Sequence, residues 1–311
     1  MSTLVSKLHA LKIYPQVEYA LLSRGKRLRP IMAVLSAQSA GGDRAKALPL
    51  AIAIELIHTA TLVHDDIIDR DAIRRGTPTI HTKWSVEDAI LAGDAFIALA
   101  IDLAAVYGQE VMRLMARCAL ELCEGEHMEL LLNLGEATEE DYFTKIKKKS
   151  ASLFRTAAQV GAIVGGGTAR EVDSLALFGE HFGIAYQIRD DIADLVGVRE
   201  GGSSDLKLGR VTLPLIHFYR VSDENRKNLM DRCFGKRDLD QEVIRGLVNE
   251  IKDAGSIQYC EQKMVENLEA AYNKISLQRD TPFKKHLVSM LNLIVDDQLM
   301  SKYEQTSTAT H

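Results

Sequence analysis

An all-α bundle of ten or more helices around a central cavity is the fold this sequence predicts. Three observations carry that prediction. Nearly every long segment spaces its apolar residues three or four apart, as one face of a helix requires. Alternating apolar and polar stretches of the strand kind are scarce. The breaks between periodic segments are short groups of glycine, proline and charge.

From Leu48 to Asp69 apolar residues run nearly all round the axis, as in a helix buried on most sides. Comparable runs cover Val86 to Tyr107, Glu110 to Leu134, Asp141 to Gly161, Arg170 to Leu195 and Leu213 to Arg220. Breaks fall at Gly41-Gly42, Arg75 to Pro78, Gly165 to Gly167 and Gly197 to Ser204. Thr212 is expected to cap the helix that Pro214 begins. No Pro/Gly/Ser-rich linker divides the chain, so residues 1–311 are expected to form one domain, with the polar end 301–311 fraying.

With 46% hydrophobic residues the chain can fill a sizeable core, and no apolar run reads as long enough to cross a bilayer. Lys7, His9 and Lys12 interrupt the N-terminus, so it lacks the apolar core of a secretory signal. The 38 basic and 43 acidic residues are spread along the chain, which speaks against a general nucleic-acid binder. Cys118, Cys123, Cys233 and Cys260 show no metal-ligand spacing, and the first two lie in an apolar helical run. Reduced core thiols in a cytoplasmic protein are the expectation.

Two acidic clusters end two of the apolar runs. Asp65, Asp66 and Asp69 form one DDxxD, and Asp190, Asp191 and Asp194 form the other. Residues four apart share a helix face, so Asp65 lies over Asp69 and Asp190 over Asp194, with Asp66 and Asp191 about 100° round the axis. Clustered carboxylates repel unless protonated, solvated or neutralised by a cation. Oxygen-only ligation suits Mg²⁺, which bridges a carboxylate or two to substrate phosphates. Each cluster alone could be no more than an acidic, solvated helix end; two in corresponding positions favour a shared metal site between facing helices.

Cationic groups alternate with these clusters: Gly25-Lys26-Arg27-Leu28-Arg29-Pro30, Arg74-Arg75-Gly76-Thr77-Pro78 and Lys147-Lys148-Lys149-Ser150. Guanidinium groups grip phosphate bidentately and lysine supplies a point charge. A diphosphate held between these cations and carboxylate-bound metal fits the combination. His58 lies two turns before Asp65 on one helix face and can point into the same cavity, although a lone histidine in an apolar helix is more often a core residue.

The first basic motif, the first DDxxD with its Arg-Arg-Gly-Thr-Pro-Thr, Ala92-Gly93-Asp94, Lys149-Ser150-Ala151, Gln187-x-x-Asp190-Asp191-x-x-Asp194 and Thr212-Leu213-Pro214 together resemble the trans-prenyltransferases, or polyprenyl diphosphate synthases. The likeness runs from Gly25 to Pro214. It implies the type I isoprenoid synthase fold, a homodimer, and Mg²⁺-assisted condensation of isopentenyl diphosphate with an allylic diphosphate. By the same likeness, Asp65, Asp66, Asp69 and Asp190 would hold Mg²⁺, with Asp191 and Asp194 completing the second cluster directly or through metal-bound water. Arg74, Lys149, Ser150 and Gln187 would contact the allylic diphosphate, and Arg74, Lys149 and Gln187 are the expected catalytic groups. Gly25, Lys26, Arg29, His58 and Arg75 would hold isopentenyl diphosphate.

Two departures from the family pattern stand out. Arg199-Glu200 replaces the usual Gly-Lys pair, and Arg210 stands where a lysine precedes Thr-Leu-Pro; Arg210 and Lys207 are the cations expected to reach the allylic diphosphate in their stead. Family members set product length just before the first DDxxD. Ala60 and Thr61 are small there, which disfavours a fifteen-carbon product, and Ile57 is the next possible floor, so a product of about twenty carbons or more is expected. Met115, Cys118 and Leu122 are candidates to close the tunnel from the facing side. An apolar product would draw the chain to membrane surfaces without a spanning segment. A type I terpene cyclase and a non-catalytic regulatory subunit are the rival readings, the first disfavoured by the intact second DDxxD and the second by the presence of both clusters.

Overall fold

The structure is a computed structural model that describes residues 12–23, 25–197 and 203–295. The loop at Arg199-Glu200 and the tail 301–311 lie outside these residues. Helices α1 (Tyr14–Leu21), α2 (Leu28–Ser39) and α3 (Arg44–Asp69) lead into a hairpin of β1 (Ile73–Arg74) and β2 (Thr77–Pro78). Then come α4 (Ile80–Lys83), α5 (Val86–Ala104), α6 (Gln109–Leu131), α7 (Glu139–Ile146), a wide π turn over Lys147–Ala151 and α8 (Ser152–Val164). The second half holds α9 (Ala169–Leu195), α10 (Ser204–Leu208), α11 (Leu213–Val221), α12 (Glu224–Cys233), α13 (Gln241–Asp253), α14 (Ser256–Ser276) and α15 (Pro282–Leu291).

The boundaries follow local chemistry. α3 starts at Arg44 rather than Leu48 because the Asp43 side chain accepts the Ala45 N–H at 2.9 Å, capping the helix ahead of Pro49. α9 opens with a capping box in which Thr168 and Glu171 satisfy each other's backbone N–H groups. Thr212 does occupy the N-cap of α11, but its side chain makes no capping bond; Pro214 in the first turn presets the helix instead.

Two apolar cores meet on α8. Phe154, Ala158 and Ala162 face α9 and the C-terminal helices, whereas Leu153, Ala157 and Val160 face α3, α5 and α6. Gly161 and Gly165 let α2 approach this partition: a Cβ at either would collide with the backbone of Ala33 or Ala37. The long helices α3 and α9, each ending in an acidic cluster, are thereby held on either side of α8.

Two sequence expectations need correction. Among the described residues, α3 and the stretch from Val86 to Tyr107 are in fact long and apolar enough to cross a membrane by length and composition. The most apolar stretch of α3 is 56% buried in the protein, so its apolar surface is largely spent on neighbouring helices. Cys123, unlike buried Cys118, Cys233 and Cys260, is exposed, since it turns away from the core face of α6.

Candidate active site

Between α3, α5, α6 and α9 lies a cavity of about 1770 Å³. Its mouth is charged and its far end apolar. Asp65 near the end of α3 and Asp190 near the end of α9 both line it, so the two acidic helices contribute to one space.

One wall of the mouth is basic. Gly25, Lys26, Arg29, His58 and Arg75 all line the cavity. Arg75 and Gly76 form the two-residue loop between β1 and β2, and both have positive φ, 55° and 78°, as a type I′ hairpin requires. Holding arginine in that region costs on the order of 1 kcal/mol, and the hairpin register keeps it there. Its guanidinium comes so near Gly25 that a Cβ on Gly25 would lie 2.7 Å from a terminal nitrogen. Arg29 packs over the Phe154 ring at 4.2 Å and donates to His58 Nε2 at 3.2 Å. A guanidinium can only donate, so His58 Nε2 is the acceptor and its hydrogen sits on Nδ1. Burial, then the charges of Arg29 and Arg75, push the His58 pKa well below the usual imidazole value, which keeps the ring neutral.

The opposite wall holds Lys149, Ser150 and Gln187, with Arg74 entering from the hairpin. Lys149 and Ser150 belong to the π turn, a local widening often found at functional sites. Gly125 makes room for that turn, because a Cβ there would strike the Lys149 backbone. Ser150 Oγ donates to Gln187 Oε1 at 2.6 Å, and Gln187 Nε2 donates to Asp191 Oδ1 at 2.7 Å. The Gln187 amide is therefore fixed at both ends.

The six aspartates have different surroundings. Asp66, Asp69, Asp191 and Asp194 do not line the cavity. Asp66 accepts from Arg74, and burial nevertheless pushes its carboxyl up to about 6. Asp69 is ion-paired with Arg210. Asp191 is buried and accepts from Tyr142 Oη at 2.7 Å as well as from Gln187. Asp194 accepts from Ser204 Oγ at 2.5 Å, Ser204 N at 3.2 Å and Asp205 N at 2.9 Å, and so caps α10. Arg210 and Lys207, expected on the allylic diphosphate, do not line the cavity either. The longer guanidinium of Arg210 reaches back to Asp69, to Asp205 at 3.2 Å and toward Glu129 at 3.7 Å.

The donor set suits a hard divalent cation completed by substrate oxygens and water. Asp65 is desolvated by burial, and Glu126 adds a like charge, so its carboxyl is raised. Among the described residues no three His, Cys, Asp or Glu side chains already converge as a ligand set.

Away from its charged mouth the cavity is lined by apolar side chains, as the expected tunnel requires. Thr61, Ala60 and Ile57 line it on α3, but Ala53 and Ile54 do not. From there the lining passes to Ile97, Ile101 and Ala104 on α5 and to Leu122, Met115 and Met112 on α6. Cys118, a candidate for closing it, instead approaches Ser152 Oγ at 3.9 Å in the core. The sequence reading missed Glu55, Glu126 and Arg189, which also line the cavity, and Glu129 behind it. The spacing Gly125-Glu126-x-x-Glu129, opposite the lysine turn, was the available signal for Glu126 and Glu129.

The model of the polyprenyl synthetase family matches residues 12–251. The chain is 31% identical over 295 residues to a geranylgeranyl diphosphate synthase of Methanosarcina mazei, covering 91% of this chain and 89% of that one. It is 32% identical to an octaprenyl diphosphate synthase of Haemophilus influenzae, covering 89% and 86%. A crystal structure of a polyprenyl synthase from Caulobacter crescentus CB15, complexed with calcium and isoprenyl diphosphate, superposes with a TM-score of 0.88 at 27% identity, covering 94% and 92%.

Proposed function

The chain belongs to the polyprenyl synthetase family, and from that premise we propose that it joins isopentenyl diphosphate to an allylic diphosphate with Mg²⁺ and releases an all-trans product of about twenty carbons. One observation carries the reading: Asp65 and Asp190, from different helices, share with Lys149 and a basic wall the mouth of a single cavity whose far end is apolar.

The residues divide the work by wall. Lys26, Arg29, Arg75 and the Nδ1–H of neutral His58 hold the diphosphate of isopentenyl diphosphate and keep its double bond facing inward. Arg74, Lys149 and the fixed amide of Gln187 hold the allylic diphosphate, donating hydrogen bonds that strengthen as charge grows on the leaving oxygen. Asp65 and Asp190 are the residues that would hold Mg²⁺, whose chemistry when bound is to neutralise charge on the departing diphosphate. The apolar tunnel keeps water from the allylic cation while the double bond attacks. The released diphosphate then takes the proton, since Ile57, Ile97, Ile101, Met112 and Met115 along the tunnel are not bases.

The tunnel length supports the product assignment. On α6 its lining runs from Glu126, whose charge acts on Asp65, to Met112, about 21 Å of helix. Four carbon–carbon bonds of about 1.5 Å, laid zigzag, advance the tail by at most about 5 Å per isoprene unit. Four units fill the space.

A cytoplasmic homodimer completes the reading. Ile90, Leu91, Ile97 and Ile101 on α5 are between 39% and 57% exposed, an apolar face that a second copy would cover. Ile97 and Ile101 also line the tunnel, so pairing would seal its wall. Sedimentation velocity tests the dimer. Incubating the purified chain with Mg²⁺, farnesyl diphosphate and isopentenyl diphosphate tests the reaction. An elongated diphosphate supports it, a released hydrocarbon would indicate a cyclase, and no turnover a non-catalytic subunit.

A further inference from the structure

Behind Lys149 stands Glu129, a residue outside the motifs that carry the family resemblance. Its side chain is 11% exposed and does not line the cavity. Oε1 accepts from Lys145 Nζ at 3.2 Å, Oε2 accepts from Lys149 Nζ, and Arg210 Nε lies 3.7 Å from Oε2. Burial alone would raise this carboxyl, yet Lys145, Lys149 and Arg210 together hold it at about 2. Lys145 is itself buried and also donates to the Val211 carbonyl at 2.8 Å, so its ammonium has a fixed place. The carboxylate is therefore anchored from behind, and Lys149 is the member of the group that reaches the cavity.

A lysine head is a point charge on a flexible four-carbon stem and has no preferred direction of its own. Glu126, the other partner of Lys149 at 2.7 Å, lines the cavity that the substrates enter, so it is not held from behind as Glu129 is. Glu129 supplies the fixed reference. We propose that Glu129 is a positioning residue for prenyl transfer: its carboxylate, anchored by Lys145 and Arg210, aims the Lys149 ammonium at the leaving diphosphate. The inference rests on the reading that Lys149 meets the allylic substrate.

An ammonium already aimed stabilises the growing charge without reorganising as the bond breaks. Losing the aim therefore lowers kcat, while isopentenyl diphosphate, held on the opposite wall, binds as before. The test compares the parent, Glu129→Gln, and the double variant Glu129→Gln with Lys145→Gln, measuring kcat, KM for each substrate and Tm. Glu129→Gln is expected to lower kcat about 10- to 100-fold, with KM for isopentenyl diphosphate within about twofold of the parent. The double variant also removes the buried Lys145 ammonium that Glu129→Gln leaves without its carboxylate, so its Tm rises above that of the single variant. Its kcat stays low if Glu129 aims Lys149. Recovery of kcat in the double variant, an unchanged kcat in either, or a rise in isopentenyl KM that matches the fall in kcat would overturn the proposal. An inactive parent refutes the reading of the site instead, which keeps the two failures distinct.

Discussion

Ala60→Phe probes the tunnel most directly. Ala60 is 2% exposed and lines the cavity on α3, five residues before Asp65. Five residues of helix amount to about 7.5 Å, so a ring placed there closes the tunnel at roughly a third of the about 21 Å that separates Glu126 from Met112. At about 5 Å per isoprene unit, that depth admits one to two units instead of four. The main product should therefore shorten from about twenty carbons to about ten, the product of the first condensation, which is preserved because no diphosphate contact is touched. Crowding a packed core costs about 1–3 kcal/mol, but the added ring enters open space, so Tm should move little. Incubation with dimethylallyl and isopentenyl diphosphates, followed by mass spectrometry of the dephosphorylated products, reads the length; calorimetry reads the fold. A folded variant that still makes the parent's product would refute the assignment of this tunnel.

Other perturbations separate the roles of neighbouring residues. Met112→Ala removes the side chain at the far end and should lengthen the product by at least one isoprene unit, measured in the same assay; an unchanged length would mean that the floor lies elsewhere. Asp65→Ala should cut turnover by about 100-fold or more while leaving urea stability at or above the parent's, because it removes a desolvated carboxyl crowded by Glu126. Asp194→Ala should instead lose about 1–2 kcal/mol of stability through the uncapped start of α10, so equal urea midpoints for the two variants would contradict the distinction drawn between them. Because His58 has a lower pKa folded than unfolded, the unfolded chain takes up a proton that the folded one resists, and stability should fall as pH drops below about 6.5. Urea titrations at pH 5 to 7.5 should show the slope from this group, at most about 1.4 kcal/mol per pH unit, flattened in His58→Gln.

Much of this enzyme was legible before any coordinates. Helical periodicity placed the long helices, and Gly-Lys-Arg, the two DDxxD repeats and Lys149-Ser150 announced a diphosphate site. Residues that lie close in sequence on one helix have a spacing that geometry fixes, so Asp65 and His58 could be put on a common face. The hairpin arginine was visible as well, since Arg75-Gly76 followed by Thr77-Pro78 is turn chemistry.

What the chain determined by itself was therefore the set of elements and the kind of chemistry at their ends. Only the tertiary structure showed which carboxylates line the cavity. Asp65 and Asp190 reach the cavity, whereas Asp66, Asp69, Asp191 and Asp194 are turned to Arg74, Arg210, Tyr142 and the start of α10. The repeats look equivalent because a local motif records spacing along one helix. The choice among their oxygens depends on which buried donors arrive from distant parts of the chain, and a desolvated charge takes the partner that packing brings to it.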